Sequence, residues 1–211
     1  MEHTHSDEEP YAPVAHTHGQ HRRYAFISRL LFGHIQSRIA KNIASTHPKT
    51  VLDIGCGPGF LLKKLHAYKG ISTLYGVDPD PSMVRYAQSL LKNISSTIFC
   101  ANAVSLPLED ATCDAVVTSL AFHHLSSEQK IRATKEIVRV LQPGKRFWIF
   151  DFVAPTNFLG RLLIPLSPEH RMLQDNMSGR VREILTEGGL MYEKTHWKVF
   201  GGIALVSYRR V

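Results

Sequence analysis

The chain holds 211 residues, 44% of them apolar, enough for one packed core and too few for two substantial domains. No apolar run approaches the roughly 20 residues of a membrane span, and no basic stretch followed by an apolar one opens the sequence as a secretory signal would. The net charge of +7 is carried by residues 129–211, with 14 Lys and Arg against 7 Asp and Glu, while residues 1–128 balance at 11 against 11.

A basic surface of this kind serves an anionic substrate, nucleic acid, an acidic membrane surface or plain solubility. Three cysteines, Cys56, Cys100 and Cys113, are odd in number and lack CxxC spacing. They argue against a disulfide framework or a zinc site and fit a reducing, cytoplasmic setting.

Residues 1–21 are polar, with His3, His5, His16 and His18, and read as a flexible arm. His-x-His pairs can bind a metal, but no Cys or carboxylate follows at ligand spacing, so no metal is expected. From 22 to 45 an apolar stripe at three and four residues (Tyr24, Ile27, Leu31, Ile35, Ile39, Ile43) marks an amphipathic helix that either packs on the core or lids a pocket.

Strand and helix patterns then alternate. "TVLDIGC" is a strand ending at glycine, and "GFLLKKLHAYKG" is a helix stopping at Gly70. "TLYGVD" is a second strand, followed by the helix "PSMVRYAQSLLKN" behind an Asp80-Pro81-Ser82 start signal. "STIFCAN" and "CDAVVTSLAF" are the third and fourth strands. "SSEQKIRATKEIVRVL" is a helix with Ser126 or Ser127 as N-cap, ended by "QPG" ahead of a fifth strand, "KRFWIFDFV". After a helix near 175–188, "MYEKTHWKVF" and "GIALVSYRR" read as an antiparallel hairpin through Gly201-Gly202. The expected fold is therefore α/β, a Rossmann-like three-layer sandwich. Its mostly parallel seven-stranded sheet ends in that hairpin, all in one domain over 22–211.

In an open α/β sheet, ligands sit beyond the carboxyl ends of the strands, beside strand one. The turn there is G-x-G-x-G (Gly55, Gly57, Gly59), preceded by Asp53. Dinucleotide binding requires G-x-G-x-x-G, and a phosphate loop requires G-K-[ST]. Neither is present, so the turn suits a nucleotide-like ligand without a pyrophosphate.

"VLDIGCGPG" resembles the first motif of class I S-adenosylmethionine-dependent methyltransferases. "YGVDPDPSMV", "CANAVSLPLEDATCDAVVTSLAFHHL" and "RVLQPGKRFWIFDF" continue the resemblance in order over about 100 residues, in the manner of the small-molecule, quinone-biosynthesis-like branch. The resemblance implies S-adenosyl-L-methionine as cofactor and S-adenosyl-L-homocysteine as product. Gly55, Cys56, Gly57 and Gly59 would let backbone approach the methionine and ribose, with Asp53 orienting the loop or meeting the amino group. Asp78 would accept from the ribose hydroxyls. Pro79 and Met83 would flank the adenine, Asn102 (where the family commonly has Asp) and Ala103 would receive its edge, and Leu120 would line the site. His123 and His124 face the reaction centre or pack below it, and either is a candidate general base.

Acceptor choice falls to the 22–45 lid and an insertion over 154–174, where Tyr24, Arg161 and Arg171 are candidate contacts. Apolar lids with arginines suit a small hydrophobic or amphipathic, anionic acceptor, quinone-like or lipid-like, with peripheral contact to an anionic membrane. The quinone branch's "RN" after strand four is replaced here by "FHHL". Nucleic acid is disfavoured, since no Asn-Pro-Pro-aromatic motif follows strand four. An RNA or protein methyltransferase using the basic C-terminal face, and a catalytically silent cofactor-binding module, are the alternatives.

Overall fold

The computed structural model describes residues 33–155 and 173–211. The arm, residues 22–32 of the first lid segment and residues 156–172 of the second lie outside the described residues.

The first described helix, α1 (33–44), buries Ile39, Ala40 and Ile43. It is followed by β1 (Thr50–Ile54), α2 (Phe60–His66), β2 (Thr73–Asp78), α3 (Pro81–Leu90), β3 (Ser96–Cys100) and β4 (Cys113–Ser119). A 3-10 turn at Phe122–His124 leads into α4 (Ser127–Val140) and β5 (Leu141–Phe152). The chain closes with α5 (Gln174–Ser178), α6 (Arg180–Glu187), β6 (Leu190–Val199) and β7 (Ile203–Arg210).

The seven strands form one sheet in the order β3-β2-β1-β4-β5-β7-β6. β7 runs antiparallel to both of its neighbours, and the other pairings are parallel. Side chains alternate across the sheet, so it builds two cores. On one face Leu52, Val116, Phe147 and Ile149 meet Ala133 and Ile137 of α4 and Leu185 of α6. On the other, Val51, Val117, Trp148 and Phe150 meet α1, α2 and α3 through Ile39, Leu62 and Val84. Strands covered on both faces explain why β1 and β4 read as continuous apolar runs.

Local signals set the helix starts. Asp80 caps α3, accepting from the Ser82 amide, with Pro81 at the first helical position. Ser126 and Gln129 form a reciprocal capping box on α4.

Two elements differ from the sequence expectation. β5 starts at Leu141, because Leu141 pairs with Cys113 before the register jumps to Ala115–Arg146. The "QPG" segment is thus an irregularity inside the strand, with Gly144 at φ +75°. The helix expected near 175–188 is two helices, broken at Gly179, whose φ of +89° no right-handed helix accommodates. The break leaves Asp175 on the short α5, where it accepts from Ser127 and from the buried Lys130 ammonium at 3.0 Å, tying α5 to α4.

Candidate cofactor site

The carboxyl ends of β1, β2 and β4 open onto one cavity, of about 180 Å³. Its floor is the turn between β1 and α2. The amides of Gly55 and Cys56 both donate to the Val77 carbonyl, stitching the turn to β2. Asp78, at the end of β2, finishes the job: one carboxylate oxygen accepts from the Gly57 amide at 2.8 Å and the other from the Asp80 amide at 2.9 Å.

The glycines serve three different ends. Gly57, at φ +51°, has nothing within 4 Å of where a Cβ would stand and lines the cavity, so its bare backbone is open to a ligand. A Cβ on Gly55 would lie 2.4 Å from the Ala121 Cβ, so this glycine permits the loops after β1 and β4 to touch. Gly59 faces Leu91 and Ala87 at 3.0 and 3.2 Å and lies off the cavity lining, which makes it a helix-packing position. Of the three glycines expected to let backbone approach a ligand, Gly55 and Gly57 line the cavity and Gly59 does not.

Asp53, Cys56, Asp78, Pro79, Met83, Asn102, Ala103, Leu120 and His124 also line the cavity. Cys56 is buried with its sulfur against Gly76, and burial pushes its thiol well up, as befits a packing residue. Leu120 is held at φ +53°, a strained conformation for a residue with a Cβ, by its amide bond to the Phe150 carbonyl. His123 and His124 part company. His124 lines the cavity, whereas His123 is buried away from its walls and joins Asp151, Nδ1 to Oδ1 at 2.7 Å. Asp151 also accepts from the backbone amides of His123 and Phe152. The two imidazoles are in tilted contact with centroids 4.1 Å apart, so the buried pair lies against the His124 ring. Tyr24, Arg161 and Arg171 lie outside the described residues.

Sequence reasoning missed Gln36, Thr118 and Phe150 on the wall, and Asp151 behind His123. Thr118, the polar residue that ends the apolar run Ala115–Val117 of β4, was the one available signal. Its Oγ1 is buried without a hydrogen-bond partner among the described residues, as is Oδ1 of Asp53.

Electrostatically the site is acidic. Burial raises the Asp53 carboxyl well above the usual carboxylate range, and Asp78 adds to it. Burial also raises Asp78, against the lowering effect of its two amide donors. Among the described residues no group of His, Cys, Asp and Glu is arranged to hold a metal.

Residues 52–149 match the family model of a methyltransferase domain. The matched segment is a little under half of the chain and runs from β1 into β5. The chain is 32% identical over 113 residues to an uncharacterized methyltransferase of Oceanobacillus iheyensis, covering 54% of this chain and 51% of that one. It is also 28% identical over 172 residues to a ubiquinone/menaquinone biosynthesis C-methyltransferase of Syntrophotalea carbinolica, covering 79% and 69%. The chain spans about half to two thirds of the length of such curated relatives. Its fold matches a SAM-dependent methyltransferase from Aquifex aeolicus with TM-score 0.70 at 20% identity, over 93% of this chain and 100% of that one.

The cofactor this family implies, S-adenosylmethionine, fits the residues present. Asp78 keeps a lone pair on each oxygen after its two amide bonds, which suits a ribose diol. Met83, Pro79, Asn102 and Ala103 make an apolar slot with a polar edge for a base, and the Gly57 backbone leaves room between them and Asp53.

Proposed function

We propose that this methyltransferase transfers a methyl group to a small hydrophobic or amphipathic acceptor. The observation that carries the reading is the Asp78 clamp. It is a buried carboxylate fixed by the Gly57 and Asp80 amides at the mouth of a glycine turn, without the geometry for a pyrophosphate.

Bound S-adenosylmethionine supplies an already activated methyl group, so the protein's task is alignment and exclusion of water. Asp78 receives the ribose hydroxyls and Asn102 the adenine edge. Ile35, Phe60, Leu125 and Phe150 give the rest of the cavity apolar walls that favour an apolar acceptor and keep water out. His124 stands at the end of β4 as the group able to take a proton from an acceptor that must lose one, its ring lying against the His123–Asp151 pair.

The relatives add support for an amphipathic acceptor. Besides the quinone-biosynthesis C-methyltransferase, a malonyl-[acyl-carrier protein] O-methyltransferase of Hahella chejuensis is 28% identical over 132 residues, covering 61% of this chain and 47% of that one. The nucleic-acid alternative draws less support from the basic C-terminal part. Arg139, Lys145, Arg146, Arg180 and Arg209 are all engaged by carboxylates of the chain itself.

The test is transfer of radiolabelled methyl into fractionated lipid, small-molecule, RNA and protein pools. Label in the lipid or small-molecule pool is expected. Label confined to RNA or protein would overturn the acceptor class, and no label with intact cofactor binding would favour a silent module.

A further inference from the structure

The described residues put two buried carboxyl groups on one cavity and no lysine or arginine on its lining. The two are unequally served. Asp78 has two backbone donors, while Asp53, 2% exposed, has an oxygen with no partner among the described residues. Among the described residues an ionised carboxylate in that position finds neither solvent nor counter-charge, a cost of several kcal/mol. The groups facing Asp53 make matters worse or leave them unchanged. Asp78 from β2 repels a charge on it, and the Cys56 thiol of the turn is itself raised. Gln36 of α1, Thr118 of β4 and Phe150 of β5 are neutral, and His124 lines the same cavity. Burial and the neighbouring Asp78 accordingly favour the neutral form of Asp53 in the ligand-free protein.

The placement of the two acids fixes which end of a ligand each meets. Asp78 lies with Pro79, Met83, Asn102 and Ala103, the slot for a nucleoside. Asp53 lies near the carboxyl end of the neighbouring strand β1, just ahead of the glycine turn, on the same cavity. A ligand with its ribose on Asp78 directs its amino-acid end, with a permanent ammonium at neutral pH, toward Asp53.

We propose that uptake of the cofactor ejects a proton from Asp53, so that the site exchanges an internal proton for the ligand's ammonium. The O–H bond of the Asp53 carboxyl breaks, the electron pair stays on the carboxylate, and the proton leaves to solvent. The inference rests on the cofactor reading above. By linkage, affinity must rise with pH while Asp53 is protonated in the empty site and ionised in the complex, by up to tenfold per pH unit, and level off once the empty site has ionised. The direction is opposite to that of a site holding a protonated base. The coupling makes the protein discriminate against nucleosides lacking the amino-acid end most strongly where Asp53 is ionised in the empty protein.

The experiment is calorimetry of S-adenosylhomocysteine binding to the full chain, in buffers of different ionisation enthalpy, between about pH 5.5 and pH 8. The comparison ligand is 5′-methylthioadenosine, which keeps the nucleoside and lacks the amino-acid end. The expected result is net proton release approaching one per S-adenosylhomocysteine at the acid end of the range and near zero for 5′-methylthioadenosine. In difference infrared spectra the carbonyl stretch of a protonated carboxyl should disappear on S-adenosylhomocysteine binding, and Asp53→Asn should lack that band. Binding without proton release overturns the proposal and leaves the cofactor reading standing. Equal release with both ligands moves the titrating group to Asp78 and overturns it too. No binding of S-adenosylhomocysteine at all overturns the cofactor reading and the proposal together.

Discussion

Two aspartates at opposite ends of the same sheet show how a site differs from a scaffold. Asp114, at the amino end of β4, accepts from the backbone amides of Lys49 and Thr50 and pairs with the Lys145 ammonium at 3.0 Å. Asp78, at the carboxyl end of β2, also accepts from two backbone amides, yet among the described residues no lysine or arginine lines its cavity. Burial opposes the charge on both. At Asp114 the lysine and the two amides outweigh it and hold the carboxyl below its usual range, and at Asp78 burial wins and the carboxyl is raised. The amino end of the sheet is electrostatically finished within the chain. Among the described residues the carboxyl end is left short of positive charge and of donors, the condition of a place suited to a ligand that brings them.

The largest break in this contrast comes from the glycine turn that holds Asp78. Gly55→Ala combines a left-handed backbone with a Cβ 2.4 Å from Ala121. It should cost about 3 kcal/mol or more of stability and abolish S-adenosylhomocysteine binding. Gly57→Ala shares the backbone strain but meets no atom within 4 Å. Chemical denaturation should show a loss of only about 1 kcal/mol. Affinity should fall by about tenfold, since the new methyl group enters the ligand's space. Equal effects of the two substitutions would mean that the open side of Gly57 plays no part in binding.

Asp53→Asn should act in the opposite sense on the empty protein. A carboxyl raised in the folded state is most favourable while protonated, so its stabilising effect is lost as pH rises through the folded-state value. Replacing it with an amide should stabilise the ligand-free protein by about 1 kcal/mol at neutral pH. The gain should fade as the pH falls toward the ordinary carboxylate range. Thermal melts of both proteins across pH measure this, and a destabilised Asn variant at neutral pH would contradict the account of an uncompensated acid.

The smallest effect belongs to the finished end. Asp114, lowered in the folded state, contributes stability that is present above the usual carboxylate range and lost as pH falls through its folded value. Asp114→Asn should lower stability at pH 7 by roughly 1 kcal/mol, with the difference shrinking in acid. S-adenosylhomocysteine affinity should stay within about twofold of wild type, because Asp114 is remote from the cavity lining.

The sequence carried most of the architecture because its strands are buried on both faces and its helices carry explicit caps. "TLYGVD" coincides with β2 to the residue, and the Asp80-Pro81-Ser82 signal places α3. The misreadings arose where a single glycine overrides periodicity. Gly179 divides an apolar helical stripe into α5 and α6, and Gly144 bulges out of a strand that its pattern seemed to begin only afterwards. In the site, motif spacing located the turn and Asp78, but the division of labour among the glycines depends on which neighbour each missing Cβ would strike. The wall from Gln36, Thr118 and Phe150 was hidden because those residues come from three separate elements and reach the cavity only through sheet order. The pairing of His123 with Asp151 was invisible for the same reason, since 28 residues separate them in the chain.

The most direct test of the central claim, that the Gly57 turn and Asp78 hold S-adenosylmethionine, is titration calorimetry with S-adenosylhomocysteine on wild type and on Asp78→Ala. The account predicts one site per chain in the wild type and an affinity at least about tenfold weaker in the variant, the equivalent of losing one charge-assisted hydrogen bond. Wild-type protein that binds no S-adenosylhomocysteine, or a variant that binds it equally well, would contradict it.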